Sequence, residues 1–360
     1  MDSHDTFKTL KIYGTCPQSK DVPRSEYIPR VIQVAQWCED AGFTGILVYT
    51  DNSIVDPWVV SQIILENTKQ LCPLVAVQPV YMHPYAAAKL VASFGHLYRR
   101  RVDLNMLAGG FKKDLLALND STPHNDRYLR TKEYTLIMRQ LLENTSPVSF
   151  RGKYYSVDRL KMTPPLPKEL MPEILMSGSS TAGLAAAIAT GATAVVYPRA
   201  IEEELGEDPS LSVKRGARIG IIARERSAEA WRVAHERFPE DRKGEIAHKL
   251  AMKISDSVWH TQLSESQVPP ESEQNPYWLG PFRTYKTFCP YFVGSYERTA
   301  AEISLYIRRG YRTFILDIPI SCEELENTAV VLQKALVLSE QSHSSRPQGA
   351  GDSQPGARNL

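Results

Sequence analysis

Residues 43–80 read FTGILVYTDNSIVDPWVVSQIILENTKQLCPLVAVQPV, and the stretch alternates strand, helix, strand. FTGILVY (43–49) is short, apolar and β-branched, the composition of a strand buried on both faces. Pro57, whose fixed φ suits a first helical turn, opens a helix through Lys69. CPLVAVQPV (72–80) is a buried strand again. Two buried strands joined by a helix make a βαβ unit, in which the strands run parallel.

The alternation continues on both sides. Residues 9–14, ending LKIYG, form a first strand. Residues 26–41 form a helix with Ile28, Val31, Ile32, Val34, Ala35 and Cys38 on one stripe, ending at Gly42. Downstream come a helix from Pro84 to Leu97, a fourth strand RVDLNMLA (101–108) and a long helix over about 126–144. Residues 145–170, holding SPVSFRGKYYSVDRLKMTPPLP, read as an inserted hairpin and loop. EILMSG (173–178), ATAVVYP (192–198) and ARIGIIAR (217–224) are strands five to seven, with helices over 180–190 and from Ala228. Residues 240–292, rich in Pro, Glu and Ser, are expected to hold short helices and a mobile loop. A helix over 297–309, the strand TFILDIP (313–319) and a helix over 322–339 complete the pattern.

Eight strands separated by helices predict an α/β fold, a (β/α)8 TIM barrel with inserted loops, an open doubly wound sheet being the competing arrangement. One domain is expected over 1–340. The polar tail 341–360, QSHSSRPQGAGDSQPGARNL, has the composition of a disordered segment. The 42 basic and 41 acidic residues leave a net charge of +1, which offers no electrostatic footing for nucleic acid or a membrane surface. There is no run of about 18 apolar residues and no signal-like N-terminus, so a cytoplasmic protein is expected. Cys16, Cys38, Cys72, Cys289 and Cys322 are far apart, odd in number and lack metal-ligand spacing, as expected of incidental thiols in a reducing compartment.

A (β/α)8 barrel places its chemistry at the C-terminal ends of the strands. That rule selects Tyr13–Cys16, Tyr49–Ile54, Gln78, Asn105, Ala108–Gly110, Ser177–Ser180, Tyr197, Arg199, Arg218 and Asp317–Ile320. SGSST (177–181) stands out: a Gly/Ser turn opens a helix directly after a buried strand. Free backbone N–H groups, hydroxyls and the positive helix end suit a phosphate there, although a plain N-cap reads the same way. HNDRY (124–128) precedes a helix that Asn125 or Asp126 can cap. His124 and Tyr128 then face the same barrel end; the plainer alternative is capping plus a surface ion pair for Arg127. Asn105 and Gln78 are polar within apolar strands and need hydrogen-bond partners if buried, which a ligand could supply. His83, His96, His235, His248 and His260 read as surface or packing residues. General acid–base groups are few, so a cofactor is expected to carry the chemistry.

These residues place the chain in a recognisable setting. It resembles the bacterial luciferase-like flavin monooxygenases, most closely the alkanesulfonate monooxygenase branch, over roughly residues 8–340. The likeness rests on AGFTGILVYT followed by DPW (41–58), LVAVQPV (74–80), DLNMLAGG (103–110), HNDRY (124–128), FRGKYYSV (150–157), MSGSST (176–181) and ARERSAEAW (223–231). The resemblance implies a two-component enzyme. Reduced FMN (FMNH2) from a separate NAD(P)H:flavin reductase reacts with O2 to give a C4a-peroxyflavin that oxygenates the substrate. It implies that Ser177, Gly178, Ser179 and Ser180 hold the FMN phosphate with His124 and Tyr128 close by, and that Gln78 and Asn105 face the flavin ring. Arg218 matches an active-site arginine of that branch, and Tyr197 stands where it has a tryptophan. The branch has a cysteine at the place of Ile54, a histidine at Cys16, a histidine at Gly220, a tyrosine near Ile318 and a loop arginine at Tyr285, which Arg283 and Lys286 flank. Arg218, Tyr197 and Cys16 are the expected catalytic set; Ile54, Tyr285, Arg283 and Lys286 are expected around the substrate. So many exchanged polar groups argue against a simple alkanesulfonate and for another small-molecule or carrier-bound substrate, plausibly a biosynthetic intermediate. A homo-oligomer is expected by analogy. The alternatives are an oxidoreductase using the deazaflavin F420 and a non-catalytic flavin-binding member.

Overall fold

The computed structural model describes residues 7, 9–109, 112–204, 213–254, 258–266 and 274–341. Its strands are β1 (Lys11–Thr15), β2 (Gly45–Val48), β3 (Cys72–Val77), β4 (Asp103–Leu107), β5 (Val148–Arg151), β6 (Ser156–Leu160), β7 (Ile174–Ser177), β8 (Thr193–Val196), β9 (Arg215–Arg224), β10 (Tyr277–Trp278), β11 (Tyr291–Ser295) and β12 (Tyr311–Leu316). The helices are α1 (Arg24–Asp40), α2 (Pro57–Asn67), α3 (Pro84–Tyr98), α4 (Lys112–Ala117), α5 (His124–Glu143), α6 (Thr181–Thr190), α7 (Ile201–Glu204), α8 (Ser227–Arg237), α9 (Arg242–Ile254), α10 (Val258–Glu265), α11 (Gly280–Arg283), α12 (Tyr296–Arg308) and α13 (Cys322–Gln341).

β1, β2, β3, β4, β7, β8, β9 and β12 follow one another around a parallel ring that closes through β9–β12 and β12–β1 pairing. The barrel is therefore closed, and the open-sheet alternative is excluded. Its interior is filled by Tyr13, Leu47, Leu74, Ala76, Leu175, Val195 and Ile315, one side chain from most strands. Local chemistry fixes the helix starts. The Asp56 carboxylate accepts from the amides of Trp58 at 2.9 Å and Val59 at 3.3 Å, and Pro57 occupies the first helical position of α2. The predicted hairpin is β5–β6.

Two elements depart from the sequence expectation. β9 is ten residues long and serves two sheets. Arg215 to Ile219 pair with β12, while Gly220 to Arg224 pair with β11, a strand lying within the segment expected to be irregular. α4 also interrupts what read as a plain connection after the fourth strand. The tail expected from residue 341 onward lies outside the described residues except for Gln341, which ends α13. No helix among the described residues is long and apolar enough to cross a membrane.

Candidate active site

At the C-terminal end of the barrel one cavity is lined by Gln78, Asn105, His124, Arg127, Tyr128, Ser177–Ser180, Tyr197 and Arg218, with Tyr49, Trp259 and Phe288 among its further walls; a second, lined by Arg199 and Arg215, meets it at Gly178–Ser180 and Tyr197. One side is the turn from β7 into α6. Gly178 has φ +151°, a conformation that favours glycine, and a Cβ placed there would meet the Tyr128 hydroxyl at 2.0 Å. The hydroxyl end of Tyr128 thus packs against the turn, and its hydroxyl donates to the Ser177 carbonyl at 3.3 Å. Ser180 is the N-cap, its hydroxyl accepting from the Gly183 amide at 3.1 Å. The Ser179 hydroxyl is buried with no hydrogen-bond partner. A buried hydroxyl left unsatisfied beside a helix N-terminus is the signature of a missing acceptor or donor, and an anionic oxygen fits it. The Ser177 hydroxyl donates to Asn105 Oδ1 at 2.8 Å, which meets part of the need that Asn105 creates within its strand.

HNDRY folds differently from the expectation. α5 begins at His124 after Pro123, without a side-chain cap. Asp126 instead pairs with Lys153 at 3.2 Å. Arg127 is not on the surface: it is 4% exposed, lines the cavity and donates to the Thr122 carbonyl at 3.1 Å. His124 lies edge-on to Tyr128, with ring centroids 5.2 Å apart. The turn therefore shares its cavity with a buried guanidinium, and the plainer surface reading of Arg127 does not hold.

The opposite wall comes from β9, β12 and β2. Arg218, 4% exposed, lies with its guanidinium 4.8 Å from the centre of the Tyr49 ring and donates to the Tyr49 hydroxyl. Its Nη2 is 3.7 Å from Asp317 Oδ1. Tyr197 stacks on Trp259 of α10, with centroids 3.9 Å apart and ring planes 17° from parallel. Burial pushes the Tyr197 hydroxyl well above the usual phenol range, so it is a neutral donor. Trp259 and Phe288 bring the long excursion after β9 over the cavity mouth, and both lie in the stretch that read as irregular.

Several expected residues are elsewhere. Cys16 is 1% exposed among Val31, Val34 and Cys38, between the barrel and α1, and burial pushes its thiol far up. Period-two alternation explains this: Tyr13 points inward, and an odd offset points Cys16 outward. Ile54 is half-exposed and outside the cavity lining. Arg283 donates to the Ser266 carbonyl at 3.2 Å and Lys286 pairs with Asp241 at 2.6 Å, so both basic loop residues are engaged away from the cavity. Tyr285 packs on His248 and Phe288, its backbone left-handed at φ 61°. Gly220 and Ile318 line a separate small cleft, and a Cβ on Gly220 would strike the Tyr291 ring at 2.3 Å. Tyr291 of β11 therefore fills the space that a side chain at 220 would take. Among the described residues no cluster of His, Cys, Asp or Glu could hold a metal.

Comparison with known proteins bears on this site. A family model described as luciferase-like monooxygenase matches residues 13–313. A curated relative from Niallia circulans, named the monooxygenase BtrO of 4-(gamma-L-glutamylamino)butanoyl-BtrI acyl-carrier protein, is 36% identical over 315 residues, covering 86% of this chain and 92% of that protein. Among solved structures, riboflavin lyase with modified FMN and riboflavin superposes with a TM-score of 0.71 at 16% identity, over 93% of this chain and 92% of that one. An F420-dependent secondary alcohol dehydrogenase with an F420–acetone adduct gives a TM-score of 0.62 at 16% identity, over 91% and 99%. At such identity these structures share the barrel, and the barrel alone does not choose between the two flavins.

Proposed function

This chain belongs to the luciferase-like monooxygenase family and is a flavin-dependent monooxygenase; on that premise we propose that it takes reduced FMN from a separate NAD(P)H:flavin reductase and oxygenates an acyl substrate presented on a carrier protein. The observation that carries the cofactor reading is the glycine turn after β7. It joins a buried, unpartnered Ser179 hydroxyl, a helix N-terminus, Tyr128 packed against Gly178, and Arg127 and His124 in one cavity. That donor set fits a phosphate monoester. In this reading Ser177–Ser180 with Arg127 hold the phosphate, and Gln78 and Asn105 bind the ring.

When bound, reduced FMN supplies the electrons that put one atom of O2 into the substrate and reduce the other to water. The protein's share is positioning. The stacked Tyr197–Trp259 pair and Phe288 shield the cavity from water, and Arg218 with Tyr49 orients the substrate opposite the flavin-binding wall. Cys16, outside the cavity, has no part. The carrier-bound substrate is carried over from the 36% identical relative. The five cysteines, all unpaired, agree with a cytoplasmic setting.

Two measurements test this. In anaerobic fluorescence titration reduced FMN should bind and F420 should not; tight F420 binding without FMN binding sinks the cofactor reading. With reductase, NADH and O2, an acyl group on a phosphopantetheinyl carrier should be oxygenated faster than the free acid. Equal rates remove the carrier.

A further inference from the structure

We infer that the substrate end of the cavity is built to receive a neutral oxygen acceptor, an amide or thioester carbonyl, and to reject an anion, through the buried Arg218 and its partners Tyr49 and Asp317. The inference rests on the flavin reading only for which end of the cavity takes substrate. In the strand ring β3 lies diametrically across from β9, so the wall carrying Gln78 faces the wall carrying Arg218.

A buried arginine at the floor of a pocket would ordinarily mark an anion site. Here a carboxylate already stands beside the charge, while the buried Nε–H has no hydrogen-bond partner and is a donor still to be met by an acceptor. Asp317 Oδ1 stands 3.7 Å from Arg218 Nη2. The carboxylate is fixed in that position, because its other oxygen accepts from the Tyr291 hydroxyl at 2.7 Å and the Thr287 hydroxyl at 2.7 Å. Its backbone is tied as well, the Asp317 amide donating to the Ile219 carbonyl at 2.9 Å. Swinging the Asp317 side chain aside to admit an anion would break the two hydrogen bonds its second oxygen accepts, from the Tyr291 and Thr287 hydroxyls. An anion placed on Arg218 with Asp317 in place would share its cation with a second negative charge, at the cost of its own hydration.

Tyr49 completes the arrangement. It reaches Arg218 from β2, on the far side of β1 and β12 in the ring, and its hydroxyl accepts from the guanidinium. Its own proton is donated to no described residue, and its side chain lines the cavity. A hydroxyl polarised by a cation, with its proton still to give, is a donor for an uncharged carbonyl oxygen. The other charges at this end balance too: Lys20 pairs with Asp51 at 3.4 Å at the mouth. The Arg127 cation lines the same cavity as the glycine turn.

The test is equilibrium binding by calorimetry at low salt, with N-butylacetamide and butane-1-sulfonate as a neutral and an anionic probe of similar size. The expected wild-type protein binds the amide about tenfold or more tightly than the sulfonate. Asp317→Asn, which leaves the Arg218 charge unanswered, should move that ratio about tenfold or more toward the sulfonate. Tyr49→Phe should weaken the amide several-fold and leave the sulfonate unchanged. A wild-type preference for the sulfonate overturns the inference. So does a folded Asp317→Asn protein with the wild-type ratio. Should that variant fail to fold, an unchanged amide affinity in Tyr49→Phe overturns it. These readings need no turnover: a carrier thioester left unoxidised, with the probe preference intact, defeats the proposed function alone.

Discussion

Gly178→Ala is the substitution that bears hardest on the cofactor site. The added Cβ would lie 2.0 Å from the Tyr128 hydroxyl, where contacts under 3.0 Å do not occur, so the ring has to withdraw by 1.0 Å or more. The backbone adds its own cost, since alanine at φ +151° is strained by about 1–3 kcal/mol. Withdrawal of Tyr128 breaks its 3.3 Å bond to the Ser177 carbonyl and reshapes the turn that presents Ser179. Losing one charge-assisted hydrogen bond to the phosphate costs about 1.5–3 kcal/mol, so the Kd for FMN should rise roughly ten- to hundredfold. Gly191→Ala is the control. It caps the other end of the same helix at φ +65°, where a Cβ meets only Arg139 Nη1 at 3.1 Å. It should lower the melting temperature comparably and leave flavin affinity alone. Flavin fluorescence titration and thermal melts on both variants decide the matter. If Gly178→Ala binds FMN like the wild type while melting like Gly191→Ala, the turn is not the phosphate cradle.

Other outcomes follow from the same geometry. Ser179→Ala removes a buried hydroxyl that has no partner, so the flavin-free protein should melt at the same temperature or higher, while FMN binds roughly three- to tenfold more weakly; a flavin-free protein clearly destabilised by the change would contradict the placement. Trp259→Ala deletes a stacked partner worth about 0.5–1.5 kcal/mol and opens the cavity mouth. Its expected signature is more hydrogen peroxide per turnover, read by a peroxidase-coupled assay, with flavin affinity little changed. Acid should loosen the excursion that carries Trp259. Burial lowers the His260 pKa to about 4, and His248, Arg283 and Lys249 oppose protonation nearby, His260 facing His248 at 5.1 Å between centroids. A histidine depressed in the fold protonates first in the unfolded chain, so stability holds above about pH 6.5 and falls between there and pH 4. Melting curves over that range should show the fall, and His260→Phe should flatten it.

How much of this was legible beforehand depends on period and length. The barrel strands read clearly because each is a short apolar run between helix signals. β11 did not, although YFVGS (291–295) has strand composition, because its partner is the second half of β9 and the count of eight closes without it. Missing β11 also made Gly220 look like a lost catalytic side chain, whereas Tyr291 occupies its space. The SGSST turn was readable because glycine conformation and helix capping are local properties. Arg127 and Trp259 were not, since their roles come from what a distant element brings beside them; Asp317 was selected as a strand end, but not its place beside Arg218. Cys16 was readable from alternation along β1, and the resemblance pointed the other way.

The double allegiance of β9 has a consequence for how this enzyme could be altered. Pairing of Gly220–Arg224 with Tyr291–Ser295 clamps together the two ends of everything between them, outside the ring of eight strands. The entropy of closing that long segment is borne by the clamp and not by the barrel, and it grows only slowly with length. The part that brings Trp259 to the cavity is thus held from its two ends, while Leu263, Tyr277 and Phe282 anchor it to the main core, so changes in its length belong between those anchors and not at them.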